Sequence, residues 1–128
     1  MSGLRIGSIV IHCHEFERTV AFWCAALGYE PREPAQDGWV VLRDPAGRGP
    51  NLSFQAREAP APARGWLHLD LYAADQAAEV ERLVGLGARR YPWRYKDGAD
   101  YVVLVDPDGN RFCVVHKPDV IANADIRR

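Results

Sequence analysis

Trp39–Gly47, WVVLRDPAG, returns almost letter for letter as Tyr101–Gly109, YVVLVDPDG, 62 residues further along the chain. Each copy begins with β-branched and apolar residues that favour a strand, and it continues into an Asp-Pro pair that is typical of a turn. A period of about 60 residues is too long for a solenoid repeat and indicates a duplicated module. We therefore expect two copies of one supersecondary unit to fill almost the whole chain.

The same order of elements is predicted on both sides of a segment rich in Pro and Ala. In each copy, one strand leads into an amphipathic helix that ends at a Leu-Gly pair, and three strands follow. The predicted strands are Ile6–Cys13, Tyr29–Pro34, Gly38–Arg43 and Asn51–Gln55 in module one, and Trp66–Tyr72, Tyr91–Tyr95, Tyr101–Val105 and Arg111–His116 in module two. The sequence thus predicts an α+β fold in which two tandem βαβββ modules form a single domain over residues 1–128. Module one covers about residues 6–56, the linker 57–64, module two about 65–117 and the tail 118–128.

Composition limits the partners that we expect. With 128 residues, a net charge of -1 and 48% hydrophobic residues, the chain has the composition of an ordinary globular domain. Nucleic acids and anionic membranes require a basic excess on one surface, and a membrane span requires roughly 18 consecutive apolar residues. The sequence has neither feature, and its first residues lack a signal-peptide pattern. We therefore expect a cytoplasmic protein with no nucleic-acid and no membrane partner.

Alternation along the first strand of each module separates two faces of the sheet. The apolar side chains of Ile6–Cys13 are expected to face the helix, which leaves Ser8 and His12 on the opposite face. The repeat aligns Ser8–His12 with Trp66–Asp70. Trp66, His68 and Asp70 are therefore expected on the equivalent face of module two.

Three segments carry a resemblance to a known superfamily: AFWCAALGY at 21–29, GWLHLDL at 65–71 and DPDGNRFCVV at 106–115. Together with the duplicated βαβββ order, they resemble the vicinal oxygen chelate superfamily, which includes glyoxalase I, extradiol dioxygenases and bleomycin-resistance proteins. The likeness covers roughly Gly7–His116 and is greatest for the glyoxalase-like branch. It implies sheets that curve around a cleft, ligands bound on the concave face, and homodimers.

The resemblance also implies where a metal ion would bind. Metal-dependent members place His, Gln or Glu on the first and last strands of each module, and these positions correspond here to Ser8, Ser53, Trp66 and Cys113. None of the four is a carboxylate or an imidazole, and a single thiolate does not hold an ion against water. We therefore expect no metal and no other cofactor. A divalent ion at a relocated site is the alternative, with candidate ligands among His12, His14, His68 and Asp70.

His68 and Asp70 are the best candidates for acid–base chemistry. One residue separates them, so on a strand their side chains share a face about 7 Å apart. A carboxylate near an imidazole can tune it for proton transfer. Alternatively, the pair is structural, with Asp70 bound to an arginine such as Arg111 and His68 hydrogen-bonded to a neighbouring strand.

Aromatic residues in module two indicate a ligand-binding surface. Tyr91, Trp93 and Tyr95 alternate onto one side of a predicted strand, and with Trp66 they could line a pocket for a planar or apolar molecule, although each alone could be core. Cys113 shares a strand face with Arg111, which favours either a thiol activated by the nearby cation or a small apolar filler. The three cysteines have no C-x-x-C spacing, so reduced thiols are expected.

Four functions remain open from the sequence. The first is metal-free binding of a small molecule, as in bleomycin-resistance proteins. The second is a lyase, isomerase or cyclase that uses His68 and Asp70 as catalytic residues, and the third is a divalent-metal-dependent lyase or dioxygenase with unusual ligands. The fourth is a purely structural or regulatory homodimer. The ligand-binding candidates are Ser8, His12, Ser53, Gln55, Trp66, Trp93, Arg111 and Cys113.

Overall fold

The computed structural model describes residues 2–3, 6–59 and 67–119 of the chain. It divides into two compact units, Met1–Pro62 and Ala63–Arg128. The division falls inside the segment 57–64 that the sequence predicts as a linker. Among the described residues, no helix has the length and apolar character needed to cross a membrane.

Unit one contains a four-stranded sheet and one helix. The strands are ordered β1-β4-β3-β2, with β1 parallel to β4 and the other neighbours antiparallel. Five buried side chains form most of its core: Phe22 and Trp23 from α1, and Leu42, Leu52 and Phe54 from the sheet. The element bounds are β1 Ser8–Cys13, α1 Phe16–Leu27, β2 Glu30–Pro31, β3 Trp39–Arg43 and β4 Asn51–Ala56.

Unit two repeats this arrangement. Its strands are ordered β5-β8-β7-β6, again with the first and last strands parallel and the others antiparallel. Val80 and Leu83 from α2 are buried together with Leu104, Phe112 and Val114 from the sheet. The bounds are β5 Leu69–Ala73, α2 Gln76–Leu86, β6 Arg89–Arg90, β7 Tyr101–Val105 and β8 Arg111–His116. The predicted α+β fold of two βαβββ modules is confirmed.

The strand predicted over Tyr91–Tyr95 is wrong. Strand β6 is only Arg89–Arg90, and the chain leaves the sheet at Tyr91. Pro92 has no N–H to donate to a sheet. The backbone N–H of Val103, which a neighbouring strand would use, instead donates to the phenol oxygen of Tyr95 at 2.8 Å. The phenol therefore replaces a main-chain bond.

The predicted alignment of the two first strands is also wrong, by two residues. Cys13 pairs with Ala56 in unit one, and Ala73 pairs with His116 in unit two. Ala73 lies 60 residues after Cys13, and His116 lies 60 residues after Ala56. Ser8 is therefore equivalent to His68 and not to Trp66, which lies outside the described residues.

A two-residue hairpin turn precedes β3. Gln36 and Trp39 exchange two backbone hydrogen bonds of 3.0 and 3.1 Å across Asp37-Gly38, both of which have positive φ, at 54° and 70°. Asp-Gly is a preferred pair for this kind of turn. A Cβ atom on Gly38 would lie 2.8 Å from the Cβ of Ala56, whereas a Cβ on Gly28, which has the same φ, would meet nothing within 4 Å.

We expect Gly38→Ala to destabilise the protein more than Gly28→Ala. Both substitutions carry the backbone cost of a left-handed alanine, about 1–2 kcal/mol. Only Gly38→Ala adds steric overlap with Ala56, for which overpacking costs of about 1–3 kcal/mol are typical. Urea unfolding of the two variants measures the difference, and equal losses of unfolding free energy would contradict the predicted overlap.

Candidate functional site

His68 and Asp70 are in contact on the exposed face of unit two. Asp70 lies in β5, and His68 immediately precedes that strand. The imidazole Nε2 is 3.2 Å from the Asp70 Oδ1 atom, and the two side chains are 58% and 52% exposed. An exposed pair of this kind adds at most about 1 kcal/mol to stability. Its interest is therefore chemical, since it orients an imidazole beside a carboxylate.

Cys113 extends this pair into a cluster of three side chains. Parallel pairing of β5 with β8 places Cys113 directly opposite Asp70. Burial raises the pKa of the Cys113 thiol, and so do the charge of Asp70 and the hydrogen bond that the thiol donates to it, while Arg111 acts in the opposite direction. These effects favour Cys113 as a small apolar filler over an activated thiol, because an activated thiol needs a lowered pKa.

Arg111 contacts aromatic rings rather than Asp70. Its guanidinium carbon lies 5.1 Å from the centre of the Tyr91 ring and 5.8 Å from the centre of the Trp93 ring. The two rings are 6.3 Å apart. Across the residues that the structure describes, Arg111 forms no ion pair. The alternative in which Asp70 binds Arg111 is therefore wrong, and the partners of Asp70 are His68 and Cys113.

Residues 91–100, here called the aromatic loop, hold these rings in place. The indole N–H of Trp93 donates to the Tyr101 hydroxyl at 3.2 Å, and the Tyr95 hydroxyl accepts from β7. The carbonyl of Asp100 accepts from the His116 backbone N–H at 2.7 Å and from the Gln76 side chain at 2.9 Å. The loop therefore has a defined position although Trp93 and Tyr95 are 44% and 42% exposed.

An open pocket of about 570 Å³ adjoins the aromatic loop. It is lined by three tyrosines and two cations among other groups: Tyr91, Tyr95, Tyr101, Arg90 and Lys96. Tyr91 also contacts Arg111, so the pocket borders the Arg111 contact. Ligand sites typically have volumes of about 300–1,000 Å³. The sequence did not identify Tyr101 as part of this surface, because its role depends on how the loop folds back.

The candidate residues of unit one are arranged differently. The Ser8 and Ser53 hydroxyl oxygens are 2.6 Å apart, and Ser53 is completely buried. The Gln55 amide donates to the Gly38 carbonyl at 3.1 Å, where it supports the hairpin turn. His12 is exposed on β1, opposite Gln55 in the strand register. Trp66, a candidate from unit two, lies outside the described residues.

The corrected alignment changes the positions at which the ligands of a metal ion are expected. The positions that the superfamily resemblance implies become Ser8, Ser53, His68 and Cys113. Unit one supplies only two hydroxyls, which bond each other. Unit two supplies an imidazole and a thiol, and Asp70 adds a carboxylate; one donor atom from each lies within 4.8 Å of the other two. Nitrogen, oxygen and sulfur donors of these types are the usual protein ligands of Zn²⁺, so unit two alone fits a divalent ion.

Comparison with solved structures supports the same fold over nearly the whole chain. A glyoxalase-related enzyme from Fulvimarina pelagi is 17% identical, with a TM-score of 0.66, over 89% of this chain and 88% of that one. The fosfomycin resistance protein FosX from Listeria monocytogenes is 17% identical, with a TM-score of 0.70, over 91% and 92% of the two chains. A bleomycin-binding protein complexed with bleomycin is 20% identical, with a TM-score of 0.59, over 88% and 98%.

The family assignment rests on sequence as well as fold. Comparison with curated protein sequences gives no significant match. The model of the glyoxalase-like domain family, however, matches residues 8–115. The matched segment contains all the described strands and helices in full, apart from β8, whose last residue, His116, lies just outside it. The chain belongs to the glyoxalase-like domain family, within the vicinal oxygen chelate superfamily.

Proposed function

We propose that this protein binds a small planar molecule that carries an anionic group, on the exposed sheet face of unit two. The mode of binding resembles that of a bleomycin-resistance protein and does not use the superfamily's usual metal ligands from both modules. The observation that carries the proposal is the position of Arg111, whose guanidinium lies over the rings of Tyr91 and Trp93 without a carboxylate partner among the described residues.

Arg111 differs in this respect from two other arginines of unit two. Arg82 and Arg90 bind Glu79 and Glu81 at 2.7 and 2.9 Å. The guanidinium of Arg111 lies over the rings, and an arginine in a cation–π contact can still donate hydrogen bonds from its N–H groups. Those N–H groups match the two oxygens of a carboxylate or a similar anion. Arg111 is thus pre-oriented to bind an anionic group.

The surroundings of Arg111 favour a planar ligand. Trp93 is 44% exposed and offers a flat apolar surface beside the cation. Tyr91, which contacts Arg111, also lines a pocket of about 570 Å³, whereas Arg111 and Trp93 lie outside its lining. The similar fold of the bleomycin-binding protein supports small-molecule binding as the general class of function.

We expect aryl carboxylates to bind and Arg111→Gln to weaken that binding by at least about tenfold, since a hydrogen bond to a charged group contributes about 1.5–3 kcal/mol. Isothermal titration with benzoate, 2-naphthoate and quinoline-2-carboxylate measures the affinity. Trp93→Ala should weaken 2-naphthoate more than benzoate, because the larger ring loses more contact.

Arg94→Gln is the matched control, since it removes an equal charge from an exposed residue of the same loop. It should leave the affinities unchanged. The proposal is overturned if none of the three carboxylates binds at millimolar concentration, or if Arg94→Gln and Arg111→Gln weaken binding equally.

A second candidate function is proton transfer, as in a lyase or isomerase, and the 3.2 Å contact between His68 and Asp70 favours it. In this function His68 is the general base, Asp70 orients the imidazole, and Arg111 binds the carbonyl or enolate oxygen of the substrate. Each of these groups lies in unit two. The two candidate functions differ in whether His68 contributes to turnover.

If proton transfer occurs, the protein should accelerate deuterium exchange at the α-carbon of hydroxyacetone in D₂O, followed by NMR. His68→Ala should abolish the acceleration while changing ligand affinity by less than about tenfold, the pattern of a transition-state role. His116→Ala, at the exposed end of β8, is the control. Exchange that persists in His68→Ala would rule out this residue as the base.

We also propose that the protein is a cytoplasmic homodimer, in line with the superfamily. Sedimentation velocity at micromolar concentration tests the assembly. A monomer under those conditions would contradict it.

A further inference from the structure

We propose that His68, Asp70 and Cys113 bind a zinc-type divalent ion through unit two alone. The site uses none of the side chains on which the proposed binding of a planar anion rests, which are Arg111, Tyr91 and Trp93. The two proposals can therefore fail separately. Its three ligands come from one unit, whereas the superfamily's usual set comes from both modules. The structural basis is the convergence of nitrogen, oxygen and sulfur donors within 4.8 Å of one another.

The backbone accounts for this convergence. Asp70 and Cys113 are direct partners in the parallel pairing of β5 with β8, and adjacent strands are about 4.8 Å apart. His68 lies two residues before Asp70 on the same face, and its imidazole already approaches the carboxylate at 3.2 Å. Two ligands are therefore positioned by the sheet, and the third is an exposed side chain at the start of a strand that can adjust.

The distances suit a tetrahedral ion after small movements. Bonds to Zn²⁺ of about 2.0–2.3 Å place ligand atoms about 3.3–3.8 Å apart. The largest separation in the cluster is below 4.8 Å, so each side chain needs to move by about 1 Å or less. Three protein ligands leave one position open, which is the pattern of zinc sites that exchange water or substrate.

Charge balance also favours a divalent ion. Binding converts the Cys113 thiol to a thiolate and releases one proton, and the thiolate and the Asp70 carboxylate together neutralise the two positive charges of the ion. Arg111 is the opposing group, since its cation lies close enough to influence the Cys113 thiol. The combination of thiolate and imidazole favours Zn²⁺ and Cd²⁺ over Mg²⁺, which prefers oxygen ligands.

Unit one does not supply an equivalent set of metal ligands. Ser8 and Ser53 occupy the equivalent of the His68 and Cys113 positions, and their hydroxyls bond each other at 2.6 Å. Val10 is the equivalent of Asp70 and supplies no donor atom. The three-ligand set therefore exists in only one of the two copies of the module.

Cadmium titration of the chelator-treated full chain tests the site. We expect one Cd²⁺ per chain, an ultraviolet thiolate-to-cadmium charge-transfer band, and release of one proton, with Zn²⁺ but not Mg²⁺ displacing the probe. Loss of a side chain that only orients a metal ligand already costs about 10–100-fold in metal affinity. We therefore expect at least a tenfold loss in each of His68→Ala, Asp70→Asn and Cys113→Ser, measured by competition with a chromophoric chelator.

Cys24→Ser and His116→Ala remove a thiol and an imidazole outside the cluster, and both should leave binding unchanged. Arg111→Gln should strengthen binding, because it removes a nearby positive charge. The proposal is overturned if the charge-transfer band persists in Cys113→Ser, if Asp70→Asn binds as tightly as the wild type, or if no ion binds at micromolar concentration. Circular dichroism of each variant separates loss of a ligand from loss of fold.

His68 cannot bind a metal ion and act as a general base at the same time. A metal-bound imidazole nitrogen cannot accept a substrate proton, so stoichiometric zinc would exclude the proton-transfer function described above. The aryl carboxylate titration is made on chelator-treated protein, because an ion with an open position would itself bind a carboxylate.

Discussion

The parallel pairing of the first and last strands is the constraint on which both units depend. Parallel neighbours cannot be joined by a tight turn, so the chain between them has to form a crossover, here a helix followed by two strands. The pairing also decides which residues face each other on the exposed side of the sheet. Val10 lies opposite Ser53 in unit one, and Asp70 lies opposite Cys113 in unit two. The cluster of His68, Asp70 and Cys113 follows from that register.

Much of this fold could be predicted from the sequence, because hydrophobic alternation and turn residues are local signals. The strands Tyr101–Val105 and Arg111–His116 have the predicted bounds, and helix α1 ends before Gly28 as expected. The Tyr91–Tyr95 segment could not be predicted, since its alternation is that of a strand and only a tertiary bond, from Val103 to the Tyr95 hydroxyl, shows that it leaves the sheet. Asp37-Gly38 is a local sequence pattern typical of a hairpin turn, and the turn could have been predicted from it.

The site was harder to predict than the fold, because it depends on register. An alignment that was two residues in error placed Trp66 where the strand pairings place His68, and it hid the relation between His68, Asp70 and Cys113. The partner of Arg111 was also beyond sequence reasoning, since the aromatic loop brings Tyr91 and Trp93 to it from outside the sheet. The two copies of the module thus share a backbone but differ in chemistry: one presents a pair of hydroxyls, and the other presents three potential metal ligands beside a cation that lies over two aromatic rings.

The Tyr95 hydroxyl has a consequence for aggregation. Strands at the edge of a sheet expose unpaired N–H groups that can recruit a strand from another molecule. Beyond the two residues of β6, strand β7 would present such an edge, but the N–H of Val103 is bonded to Tyr95 and its carbonyl accepts from the Tyr91 backbone at 3.1 Å. A foreign strand finds neither group available at this point. The loop that presents the aromatic rings therefore also protects the sheet against edge-to-edge association.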